Sequence, residues 1–217
     1  FLLSGNWLTY VWAVQSHHVV DASLGYFILP LVNVALGCVF LRERPRPGQW
    51  LAVGAAAAGV LWLTVQAGHL PWIALALAMT FGFYGLLRKV AVLGALEGLA
   101  LETLVLAPVA AMVLGWWSWR GQGVLVQGDA TTLGWLLLAG PVTAIPLLLF
   151  AAGARRISLA TLGILQYISP SLLFALGLWF FDEPFQMGRL AGFLLIWAAL
   201  FIYTAEGWWA ARRSTPN

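Results

Sequence analysis

Charge is what this sequence has least of. Charged residues make up 9% of its 217 positions, against roughly a quarter in a soluble domain. So few cannot clothe a water-facing surface, and a soluble globular fold is excluded. Cysteine occurs once, at Cys38, inside an apolar run. No internal disulfide is possible, and the thiol reads as a packing group. His17, His18 and His69 are the only histidines, and their spacing is not that of a zinc site. They read as surface residues, and no metal is expected. No Ser/His/Asp set, phosphate loop or nucleophile–base pair stands out. The chain therefore reads as a non-enzyme that needs no cofactor. No charge precedes Asp21, so the chain shows no basic n-region of a secretory leader.

What is present is apolar surface. Hydrophobic residues make up 62% of the chain, and its mean hydropathy is +0.89. A bilayer core takes about 20 apolar residues per helix. Eight runs qualify, at about 1–16, 22–41, 49–66, 70–88, 97–117, 131–153, 158–181 and 187–208. The first begins abruptly at Phe1, with polar Asn6 soon after, and reads as a helix entered partway. The net charge of +3 does not point to nucleic acid, because the basic residues lie in short clusters between apolar runs.

Those clusters set the topology. Arg42, Arg44, Arg46, Arg88, Lys89, Arg155, Arg156, Arg212 and Arg213 fall on one side of the alternating runs, and Arg120 and Arg189 on the other. By the positive-inside rule the richer side is cytoplasmic, and so is the C-terminus.

A repeat runs through the same pattern. Pro30, Gly37 and Glu43 are matched by Pro170, Gly177 and Glu183, each at an offset of 140. Ala22-Ser23-Leu24-Gly25 is matched by Ala160-Thr161-Leu162-Gly163 at an offset of 138. Five crossings separate the copies, so they face opposite ways across the bilayer. The Glu43 loop is expected inside and the Glu183 loop outside. Inverted repeats are a transporter architecture, with the site at the repeat interface. Five helices per repeat imply ten in all, of which eight are here. The expected fold is an all-α membrane protein of inverted five-helix repeats. Residues 1–66 would hold the last three helices of the first repeat, 70–208 the second repeat, and 209–217 a cytoplasmic tail.

Gly-Asn-Trp at 5–7, Trp-Ala-Val at 12–14, His-His at 17–18, Ala-Ser-Leu-Gly-Tyr-Phe at 22–27 and Pro-Leu-Val-Asn at 30–33 carry a resemblance. So do Phe-Tyr-Gly-Leu at 83–86, Glu-Thr-Leu at 102–104 and Gln-Tyr-Ile at 166–168. With these strings the chain resembles the RarD branch of the EamA transporters, in the drug/metabolite transporter superfamily. The resemblance implies ten helices in two inverted halves and a place in the bacterial inner membrane. The absent part would be the first two helices and the start of the third.

Candidate solute-binding residues follow from polarity within apolar runs. Asn6 and Tyr10 are four apart and share a helical face, and Trp7 offers a ring for stacking. Pro30 and Pro170 cannot donate to the carbonyls of Tyr26 and Gln166, so both are hinge candidates. Tyr26, Asn33, Gln166 and Tyr167 lie beside them. Asn33 could instead satisfy backbone near the Pro30 kink. Glu102 is an acid inside an apolar run, and such a group is a functional candidate by default. It could bind a cation or carry a coupling proton, or pair with Arg88 or Lys89 at the interface. Glu43 and Glu183 read as helix caps or gate partners. Small residues such as Gly54, Ala55, Ala58, Gly59, Gly188 and Gly192 read as close-packing positions.

The reading is an inner-membrane secondary transporter that moves a small organic solute by alternating access. A channel, or a non-transporting membrane subunit or regulator, is the alternative. The basic-residue asymmetry makes the topology testable. Single cysteines at Arg44, Arg88 and Arg155 will be shielded from an impermeant thiol reagent in intact cells, while those at His18, Gly121 and Gln186 will label. A swapped pattern would overturn the inverted repeat.

Overall fold

The computed structural model describes residues 1–68, 70–172 and 187–213. His69, Gly177, Glu183 and the later part of the run expected at 158–181 lie outside the described residues. Every long described element is a helix. They are α1 (Leu2–Gln15), α2 (Val19–Phe40), α3 (Pro47–Ala67), α4 (Trp72–Val90), α5 (Ala95–Trp119), the single turn α6 (Val124–Gln127), α7 (Ala130–Arg156), α8 (Leu159–Gln166) and α9 (Met187–Arg213). Six are long and apolar enough to span a bilayer: α2, α3, α4, α5, α7 and α9. Each coincides with an expected run. The turn α6 is not marked by any apolar run.

The chain forms two compact units. One comprises Phe1–Leu87 with Ile157–Asn217, and the other Arg88–Arg156.

In the first unit α3 and α9 lie antiparallel. Their contact face is Ala52, Ala56, Gly59, Val60 and Leu63, spaced as one side of a helix. A Cβ on Gly59 would meet the Gly192 carbonyl at 2.8 Å, and one on Gly192 would meet Leu63 Cγ at 2.6 Å. The two backbones approach because neither carries a side chain. Gly54 has nothing within 4 Å of where a Cβ would stand, and Ala58 is exposed. Those two are corrected from packing positions to outward-facing ones, because 3.6 residues per turn puts them off the 52–56–59–63 stripe. Both ends of the α3–α9 contact are tied. Trp62 Nε1 donates to the Gly188 carbonyl at 2.7 Å, and Arg46 meets Glu206 at 3.4 Å.

α2 and α8 also run antiparallel. Leu159 packs on Gly37, and Gly163 on the Pro30 carbonyl and Asn33 Cβ. The two repeat prolines act differently. α2 continues as a helix through Pro30. α8 ends at Gln166, Tyr167 is a turn, and helix resumes at residues 168–172. The break falls where Pro170 leaves the Gln166 carbonyl without its donor. Helix-internal prolines also stand at Pro108, Pro141 and Pro146.

The second unit pairs α5 with α7, whose apolar side chains are mostly exposed, as lipid-facing helices require. Leu104 and Leu137 are 69% and 80% exposed. Asp129 caps α7 by accepting from Thr132 N–H at 2.9 Å. Hydrogen bonds from Thr132 hold the Asp129 carboxyl below the usual carboxylate range.

The α3–α9 contact yields a paired test. Gly59→Leu overpacks the seam and should destabilise the protein by on the order of 1–3 kcal/mol. Gly54→Leu, which points outward, should leave stability unchanged. Thermal unfolding in one detergent measures both.

Candidate functional site

Two groups of polar residues in the first unit contain the solute-binding candidates. The first lies between α1 and α4. Asn6 Nδ2 donates to the Leu77 carbonyl and to Thr80 Oγ1, both at 2.9 Å. One turn on, Tyr10 stands edge-on to Trp7 and to Tyr26, with ring centroids 6.4 and 6.5 Å apart. Trp7 and Tyr26 are each close to half exposed. The row Trp7–Tyr10–Tyr26 is thus continuous and partly open, a surface on which a planar solute can stack.

The second group lies on the α2–α8 contact. Asn33 is fully buried, and its Nδ2 donates to Gln166 Oε1 at 2.5 Å. The bond joins residues 133 positions apart in the chain. Asn33 therefore links two helices rather than repairing backbone beside Pro30. Its Oδ1 is buried and has no partner among the described residues. A Cβ on Gly82 of α4 would stand 3.6 Å from that oxygen, so α4 also reaches this point. An amide oxygen left unpaired in an apolar interior costs about 1–3 kcal/mol, which a donor on a bound solute or a water would offset.

Tyr167 is also fully buried, and its hydroxyl has no partner among the described residues. It belongs to the core cluster with Phe27, Val60, Phe193 and Ile196. Its neighbour Gln166 faces Asn33. The two residues, adjacent in sequence, thus serve different surroundings. Pro30 and Pro170 are both buried.

Glu102 belongs to the second unit. Its Oε2 pairs with Arg88 Nη2 at 3.3 Å. Arg88 is 5% exposed, and a Cβ on Gly98 would overlap its guanidinium. Lys89 Nζ donates to the Ala154 carbonyl at the end of α7, and Arg155 donates to the carbonyls of Ala91 and Leu93. These cations close the α4, α5 and α7 ends over one another, and Glu102 sits within that arrangement. Among the described residues no group of three or more metal-ligating side chains occurs.

Thr80, Gly82 and Gly98 escaped the sequence reading. A lone Thr or Gly in an apolar run carries no signal. Only the helix packed against it reveals what it receives.

No family model matches the chain. Curated relatives do. Protein RarD of Escherichia coli is 45% identical over 214 residues, covering 99% of this chain and 72% of that protein. An uncharacterized transporter of Pseudomonas aeruginosa is 46% identical over 212 residues, covering 98% and 71%. A solved crystal structure, 19% identical, aligns with a TM-score of 0.66 over 94% of this chain and 72% of its own, which is a likeness of fold. With six candidate spans, these relatives define a class: a multi-pass membrane transporter, not an enzyme. More narrowly, the chain belongs to the RarD family.

The buried amide pair can be measured directly. Unfolding of Asn33→Ala, Gln166→Ala and the double variant should give a coupling energy of about 0.6–1.7 kcal/mol, the range for polar pairs between membrane helices. Strict additivity would mean the bond is not made in the membrane.

Proposed function

We propose that the chain is the larger part of an inner-membrane secondary transporter that moves a small organic solute by alternating access. Two inverted five-helix repeats, ten helices in all, would rock about a central site. Residues 1–66 belong to the first repeat and 70–208 to the second. The tail at 209–217 lies in the cytoplasm. The observation that carries the reading is the α2–α8 contact. There Leu159, Gly163 and Gln166 meet Gly37, Pro30 and Asn33, and the Oδ1 of a fully buried Asn33 has no partner among the described residues.

The solute binds along Asn6, Trp7, Tyr10, Tyr26, Asn33, Gln166 and Tyr167. The amides fix its polar groups and the rings hold its apolar body, as in concave small-molecule sites generally. Pro30 and Pro170 are the hinges. The break at Tyr167 favours the second as the more pliant. Protons are the coupling ion if Glu102 exchanges its Arg88 partner for a proton during the cycle.

The test uses the full-length protein in proteoliposomes, with a tracer found by screening for solute loss. Uptake will saturate, and the same solute trapped inside will accelerate it. Flux linear in concentration would favour a channel, and no flux a regulatory subunit. Glu102→Gln will abolish proton-driven transport while leaving energy-independent exchange intact. Wild-type rates in both assays would make Glu102 a purely structural partner of Arg88.

A further inference from the structure

Glu43 lies in the turn between α2 and α3, yet its carboxylate serves a helix more than a hundred residues away. Leu159 N–H donates to Glu43 Oε1 at 2.8 Å and Ala160 N–H to Oε2 at 3.1 Å. The first amides of α8 have no partners within their own helix, and a carboxylate there gains both from the hydrogen bonds and from the helix dipole. Ser158 satisfies a further amide by accepting from Thr161 N–H.

Two features aim the carboxylate. Arg42 takes a left-handed φ of 54°, and Glu43 N–H then donates back to the Gly37 carbonyl at 3.0 Å. Gly37 leaves the room, since a Cβ there would stand 2.6 Å from Glu43 Oε2. The repeated Gly37 and Glu43 thus form one device: the glycine is the seat of the carboxylate.

From that cap the α2–α8 contact continues without interruption. It passes through Leu159 on Gly37, Gly163 on Pro30, and Gln166 on Asn33. From the Arg42–Arg46 turn to the buried amides the two helices are therefore in direct contact.

We propose that this seam is a closed gate and that Glu43 is its latch, a positioning residue that holds α8 against α2 until its two hydrogen bonds are given up to water. The proposal rests on the alternating-access reading above and specifies what holds the Arg42–Arg46 end of the α2–α8 contact closed.

The test needs no solute. In the full-length protein with Cys38→Ala, a reporter Leu162→Cys is placed one turn into α8, where Leu162 is buried. An impermeant charged maleimide is applied to inside-out and right-side-out vesicles. With Glu43 present the reporter will react slowly from both faces. Glu43→Ala will raise its rate about tenfold from one face only, as expected for loss of a charge-assisted bond pair. Glu43→Gln retains one acceptor and will give a smaller one-sided rise, which serves if the alanine variant does not fold. An unchanged rate in a folded variant overturns the latch. So does fast reaction with Glu43 in place, or an equal rise from both faces, which would mean general loosening. Counterflow by the unaltered protein tests the transport reading separately.

Discussion

In the hydrocarbon of a bilayer a polar atom has only the protein to bond to, and the contact of α2 with α8 is where this chain meets that constraint. A cap at one end, backbone against backbone at Gly163, and an amide pair at Asn33–Gln166 give partners to groups that these two helices would otherwise leave bare, Asn33 Oδ1 excepted. The closeness is possible only because glycine stands at 37 and 163. Larger residues would hold the helices apart and strand the amides beyond hydrogen-bond range. Polarity and glycine are therefore not separate features of this seam, since each makes the other tolerable.

The second unit answers the same constraint differently. Its helices α5 and α7 carry little polarity along their length, and its charges gather at the helix ends. Arg88, Lys89 and Arg155 turn toward a carboxylate and toward the carbonyls that end α7 and follow α4. Basic residues counted on sequence as markers of sidedness also staple the helix ends on which they stand. That double use explains why they cluster so tightly between apolar runs.

How far the sequence could be read followed from how each signal arises. Apolar run length is set by the bilayer, so the six long helices were visible in composition alone. The match of Ala22-Ser23-Leu24-Gly25 with Ala160-Thr161-Leu162-Gly163 marked α2 and α8 as similar in sequence, and the structure puts the two helices in contact. The face each residue presents was less visible. In α3 nearly every position is small or apolar, so the true stripe at Ala52, Ala56 and Gly59 could not be told from its neighbours Gly54 and Ala58. Gln166 and Tyr167 looked like one polar pair but point to different surroundings. Glu43 was legible as a cap, but not as the cap of a helix more than a hundred residues away. Long-range partners of that kind are decided by packing, which leaves no local trace.

The two matched prolines stand in unlike backbones. α2 carries Pro30 inside an unbroken helix, whereas α8 is interrupted at Tyr167, just before Pro170. Along their shared face the backbone ladder is therefore continuous in the first and broken in the second. Matching proline spacing thus comes with unlike backbone continuity, and Gln166, the last residue before the break, is tied by its side chain to Asn33 of the unbroken helix.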